Sequence, residues 1–269
     1  MSRSNNVEAP NPAKRFLEWD GTNGGFEYYD RDAVNDKGEK GKRCRMELPV
    51  FFMTLDCLST IVGFSDADNS GIFSNEVRDV TKGIFNVRTK KGVLSKGGYY
   101  DVMADPRCVG AKYAQSVYAA MPLPDPENPE KMKLQIVNFK FSGAALSAWI
   151  DFRKKNNVFK DGISIQDVTP GQKGTVKYVI PNFITVPVKP ESDETCKALD
   201  KEIMQPYFKV YFNRGAASEV SVVPTNDSVE PPPMVAPSHE DFARGVDDAL
   251  TPEKSSTAPA TKPLDDLPF

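Results

Sequence analysis

Between Asn213 and Phe269 the chain holds nine prolines and only two aromatic residues, Phe242 and Phe269. Proline locks φ and removes a backbone donor, and a segment this poor in large apolar side chains buries too little surface to offset the entropy of ordering it. Whatever folds must therefore fold within the first 212 of the 269 residues. The expected organisation is a flexible N-terminus over residues 1–15, a globular body over 16–212, a disordered acidic linker rich in proline over 213–263, and a short tip at 264–269.

Charge divides at the same place. Residues 213–269 carry ten acidic and four basic side chains, a net of −6, whereas 1–212 carry 30 basic and 27 acidic ones, a net of +3. A mildly basic body joined to an acidic arm suits a domain that binds a polyanion. Four scattered cysteines (Cys44, Cys57, Cys108 and Cys196) form no C-x-x-C pair, and the single histidine, His239, lies in the linker. This pattern argues against a zinc site and for free thiols in a reducing compartment. The N-terminus shows no apolar signal region, and no apolar run approaches the ~18 residues that span a bilayer. A cytoplasmic protein with neither metal nor cofactor is expected, in the host cytoplasm if a phage encodes it.

Within the body, period-two alternation and β-branched or aromatic content predict strands at 16–19, 26–29, 48–55, 61–64, 83–91, 132–141, 162–168, 175–180, 183–188 and 207–212. A glycine-rich turn separates the first two, and 36–43 reads as a charged loop. Helices are expected at 110–121, from propensity, at 142–155 behind a Ser142 cap, and at 192–204. The sum is a mainly β body with a few helices. Asp66, Asp68, Ser70 and Gly71 imitate the start of an EF-hand loop, but position 12 is Val77 rather than glutamate, so a tight hairpin turn explains them better.

The candidate binding residues come from the strand faces. Alternation over 83–91 sends Phe85 and Val87 inward and Asn86, Arg88 and Lys90 outward; Lys91, Lys96, Tyr99 and Tyr100 extend this run. A strand with an apolar inner face and a donor-rich outer face is what a nucleic-acid groove requires, cations meeting phosphates and rings meeting bases. Lys140 lies on the polar side of 132–141. Trp149 belongs to an amphipathic helix and reads as core more readily than as ligand. Tyr207, Lys209 and Tyr211 would line one face of the last strand as a stacking platform.

The chain ends in Leu264-Asp265-Asp266-Leu267-Pro268-Phe269. An aromatic at the free end of a polar tether gains nothing for its own fold, but it can fill a partner's pocket while basic residues grip Asp265 and Asp266. This tip resembles the acidic C-terminal tip of bacterial and bacteriophage single-stranded DNA-binding proteins. The segments Asn86-Val-Arg-Thr-Lys-Lys-Gly92, Lys112-Tyr-Ala-Gln-Ser-Val-Tyr118 and Phe141-Ser-Gly-Ala-Ala-Leu-Ser-Ala-Trp-Ile-Asp-Phe152 are similar to those of the bacteriophage type. The resemblance implies an OB-fold, a small Greek-key β-barrel, here enlarged by insertions. It also implies sequence-independent binding of single strands in replication, recombination and repair. Leu267, Pro268 and Phe269, with the two aspartates, would then recruit polymerase, helicase, primase or recombinase. No P-loop, nucleophile elbow or paired acidic motif is present, so binding without catalysis is expected. A metal-dependent nuclease using Asp66, Asp68 and Glu76 and a β-rich virion protein are the competing readings.

Overall fold

The computed structural model describes residues 10–35, 37–38 and 40–217. The chain divides into two units after Phe208, and of the second only the end of the last helix, through residue 217, is described.

Strand β1 (Arg15–Trp19) turns into β2 (Phe26–Val34) through Gly24 and Gly25, both at positive φ (74° and 86°), where a side chain would strain the backbone. Asp20 ties this turn: its Oδ1 accepts from the amides of Thr22 (2.9 Å) and Asn23 (3.2 Å). Burial pushes its pKa up, but bonds from Asn23, Thr22 and Arg45 outweigh that and hold it at about 2. The second half of the expected charged loop at 36–43 is strand, since β3 (Lys40–Met46) pairs antiparallel with β2. Charged side chains on an edge strand need only one buried face, and composition hides such a strand.

The two apolar runs expected at 48–55 and 61–64 are one long strand, β4 (Val50–Ser65), followed by β5 (Ser70–Phe73), β6 (Phe85–Thr89) and β7 (Gly92–Gly97). Residues 66–69 make the hairpin turn between β4 and β5 that the Asp/Asn/Gly composition predicts. Short helix α1 (Tyr99–Ala104) and a 3-10 turn (Pro106–Cys108) then lead to β8 (Ala111–Pro124). Here the expected helix at 110–121 is wrong. β8 pairs β4 on one side and β9 (Met132–Ser142) on the other, and it is buried on both faces from Ser116 to Met121. A strand buried on both sides loses its alternation, and its alanines then read as helix.

Helix α2 (Gly143–Lys155) forms where expected, although Ser142 at its N-cap makes no side-chain capping bond, and β10 (Gly162–Lys173) and β11 (Val176–Val186) follow it as one long hairpin. The turn falls at Gly174 (φ 58°), not at Pro170-Gly171, which lie inside β10. Pro181 sits within β11, which pairs only with β10; an edge strand tolerates the missing donor. Helix α3 (Pro190–Leu199) continues through one π-helical turn (Asp200–Met204) into α4 (Gln205–Ala217). The expected strand at 207–212 is therefore helical. Met204, Tyr207 and Phe208 are the buried residues, at i, i+3 and i+4, so the helical period decides the segment.

The strands make one large mixed sheet in the order β3-β2-β1-β9-β8-β4-β5-β6-β7, with β10 joined to β4 and β11 to β10. Of the described residues, about 49% are strand and 23% helix. Only β1–β9 is parallel. The β11 end also returns to β1: the Val179 amide donates to the Gly21 carbonyl (2.7 Å), and Trp19 Nε1 donates to the Val179 carbonyl (3.1 Å). Inside this curve lies an aromatic core of Phe26, Phe52, Phe139, Phe141 and Trp149 with Leu17, Val117 and Ile163. A second core of Ile61, Ile72, Phe85, Val87 and Val102 lies under α1.

Candidate nucleic-acid interface

Directly paired residues on neighbouring strands share a face of the sheet, so the register sorts the exposed side chains. On β4–β7 the inner face is the second core. The outer face is read across the ladder: Lys112 on β8 pairs Val62 on β4, Val62 pairs Phe73 on β5, Phe73 pairs Arg88 on β6, and Arg88 pairs Val93 on β7. Phe64, paired with Gly71, and Lys96, paired with Asn86, stand on the same side.

This face combines rings with cations. Phe64 is 50% exposed and Phe73 37%, so two phenylalanines stand in solvent on the face of a sheet. The Arg88 guanidinium lies 5.1 Å from the Phe73 ring centre, within cation–π range. Arg88, Lys96 and Lys112 are exposed, and none of them has a carboxylate partner among the described residues. Open rings beside unneutralised cations can stack bases and meet phosphates.

Of the sequence-predicted residues, the structure brings Arg88 and Lys96 together on this face. Lys90 is exposed at the β6–β7 turn. Lys91 is engaged with Asp68 at 3.3 Å; the same carboxylate accepts from Thr89 Oγ1 at 2.6 Å, which pins the β4–β5 and β6–β7 turns together. Tyr99 and Tyr100 leave the face: Tyr99 packs on the second core and meets Tyr113 edge-on, with centroids 5.7 Å apart. Lys140, paired with Ser116, is on the outer side of β9 but beside a buried cluster.

In that cluster the Ser116 and Tyr118 hydroxyls donate to Glu76, the latter at 2.9 Å, and Asn138 Nδ2 donates to Ser116 Oγ at 2.6 Å. Burial pushes the Glu76 pKa up, against the pull of these hydroxyls and of Lys140; Asp56 adds to the rise. Asp68 and Glu76, the carboxylates of the nuclease reading, thus belong to different networks. Among the described residues no three or more His, Cys, Asp or Glu are grouped to hold a metal.

Four candidates need correction. Trp149 is fully buried between Phe141 (5.4 Å) and Phe183 (5.3 Å) and offers no face to a base. Tyr207 is buried against Phe208 and Tyr118. Tyr207, Lys209 and Tyr211 share a helix, not a strand face, and the division after Phe208 leaves Lys209 and Tyr211 in the other unit. Asp265, Asp266, Leu267, Pro268 and Phe269 lie outside the described residues.

Sequence reasoning missed Phe64, Phe73 and Lys112. The signal for Phe73 was present in Ser70-Gly-Ile-Phe73, where Ile72 inward forces Phe73 outward; the segment is only four residues long, too short for alternation to stand out. No protein-family model matches this chain, and no curated protein or solved structure gives a significant match.

Proposed function

We propose that this chain binds single-stranded DNA without regard to sequence and carries its partner-recruiting hook on the C-terminal tip. The observation that carries the reading is the outer ladder of β8, β4, β5 and β6, where Phe73 and Arg88 stand between Phe64, Lys96 and Lys112. A duplex hides its base faces within the stack, so exposed rings favour an unpaired strand. Binding rather than catalysis is the role assigned, in the cytoplasm, during replication, recombination and repair.

An OB-type barrel is the finer fold reading. Its support is connectivity: β4 pairs both β8 and β10, β8 pairs β9, α2 fills the link from β9 to β10, and β10 pairs β11. These five strands and one helix follow a Greek-key barrel plan. On that plan β5–β7 and α1 are an insertion between the first and second barrel strands, and β1–β3 an addition at the third. The tip stands on its sequence alone, as a phenylalanine hook with two carboxylates.

The test is fluorescence anisotropy of labelled oligo-dT titrated with the full chain, with duplex as competitor, at low and raised salt. Binding that resists duplex and weakens as salt rises supports the proposal. Absence of binding at low salt overturns it. Metal-dependent cleavage of the oligonucleotide would move the answer to a nuclease. Removing residues 265–269 should leave oligo-dT affinity intact or higher and abolish capture of replication proteins.

A further inference from the structure

The same face of the sheet carries a second ring-and-cation patch at its far edge. The register leads there directly: Ser116 on β8 pairs Lys140 on β9, Lys140 pairs Glu18 on β1, Glu18 pairs Glu27 on β2, and Glu27 pairs Arg45 on β3. Ser116 is four residues beyond Lys112 on the unshifted β8 ladder, so the two rows share a side. Tyr29 and its partner Arg43 stand two residues along from Glu27 and Arg45, and therefore also on it. In the middle of the sheet this side is occupied by Glu76, Tyr118 and Phe208. What remains open is the pair of ends.

At the β2–β3 end, Tyr29 is 62% exposed. Its hydroxyl end lies against Gly41: a Cβ at position 41 would stand 1.8 Å from Tyr29 Oη and 2.6 Å from Cζ. Gly41 also has φ +99°. Glycine at 41 thus serves both the backbone and the hydroxyl end of Tyr29, whose ring is largely exposed. Arg43 lies across from it, and exposed Arg31 follows at the irregularity of the β2–β3 register after Asp30. Arg43 pairs with Glu27 at 3.4 Å in a solvent-exposed pair. Such a pair is weak and exchanges readily for a phosphate. Arg45 is occupied, by Asp20 at 2.6 Å, by Glu47 and by the Gly24 carbonyl. Tyr28 faces the opposite way, toward the aromatic core, under Arg15 (4.7 Å).

We infer that Tyr29, with Arg43 and Arg31, is a second stacking site for the bound single strand, which runs from the Phe73–Arg88 patch to the β2–β3 hairpin. The inference rests on the proposed function and adds a path to it. From β5 to β2 is five strand spacings, about 24 Å along the sheet at ~4.8 Å each. Only an oligonucleotide of several residues can occupy both ends.

The experiment compares oligo-dT of about 4 and about 16 nucleotides, the range of single-domain site sizes, on the full chain and on Tyr29→Ala, Tyr29→Phe, Arg43→Ala and Arg88→Ala. Tyr29→Ala is expected to weaken the long oligonucleotide about tenfold and leave the short one unchanged, with Tyr29→Phe close to wild type. Arg43→Ala should lower the salt slope for the long oligonucleotide by about 0.7, one phosphate on a single strand. Arg88→Ala should weaken both lengths. Photocrosslinking of a 16-mer carrying 5-iododeoxyuridine should mark the peptide that contains Tyr29.

Long-oligonucleotide affinity unchanged in Tyr29→Ala and Arg43→Ala, while Arg88→Ala weakens it, overturns the inference and leaves the proposed function standing. If the wild-type chain binds neither length, the proposed function itself falls. A glutamate-rich peptide whose binding depends on Tyr29, beside oligo-dT binding that does not, makes the hairpin a protein dock and overturns the inference as well.

Discussion

Arg88 on β6 and Phe73 on β5 face each other across the only paired position of those two strands, with the guanidinium 5.1 Å from the ring centre. The contact leaves the ring open on its solvent side and holds the cation beside it. A base and its phosphate need both elements together.

Phe73→Ala should therefore weaken oligo-dT binding by about 1–3 kcal/mol, the usual worth of one base stacked on an aromatic ring. Its effect on folding stability should be smaller, because the ring is already partly in water. Equilibrium titration beside urea unfolding separates the two effects. Unchanged affinity would remove Phe73 from the interface.

Lys96 and Lys91 should behave differently despite being near neighbours in sequence. Lys96 lacks a carboxylate partner among the described residues, and Lys96→Ala is expected to reduce the salt slope of binding by about 0.7. Lys91 is engaged with Asp68, so Lys91→Ala should change the slope by less than half as much. Equal slopes for the two variants would contradict this assignment.

Trp149 is core. Trp149→Ala should cost about 3–5 kcal/mol of stability, whereas Trp149→Phe should be milder, since the indole N–H has no partner among the described residues. Both predictions are read by denaturant unfolding. Trp149→Phe, once folded, should bind oligo-dT as the wild type does; a large loss of affinity without loss of stability would return Trp149 to the interface.

Glu76 makes stability depend on pH in an unusual direction. Its folded pKa is raised by burial above the ordinary 4.5, so the folded state holds the proton more tightly than the unfolded chain. That contribution is complete below the unfolded value and is lost as pH rises from about 4.5 through the folded pKa. Glu76→Gln keeps an acceptor for Ser116 and Tyr118 and should flatten this part of the thermal-stability profile. Glu76→Ala leaves both hydroxyls without that acceptor and should cost about 1–3 kcal/mol. A Gln variant with the wild-type pH profile would show that Glu76 is not the group responsible.

Much of the architecture was legible before any coordinates. The inner and outer assignment of Phe85, Asn86, Val87 and Arg88 holds, as does helix α2 with Leu146 and Trp149 inward. These segments border solvent on one side, and amphipathic periodicity is strong there. Residues 111–124 failed for the opposite reason, since both faces are covered and no period survives. Residues 207–212 failed because aromatics alternate there by accident of composition, while a helix that starts upstream continues through them.

The sequence by itself determined that strands dominate the body and which way Phe85, Asn86, Val87 and Arg88 face; both follow from local composition and alternation. Only the tertiary structure decided which exposed residues stand together. Phe73 meets Arg88, and Lys112 lines up with both, through registers set by hydrogen bonding between strands distant in the chain. Tyr29 has room for its hydroxyl end because a glycine stands on the neighbouring strand. Pairing across strands is a property of the sheet, and a single strand's sequence does not carry it.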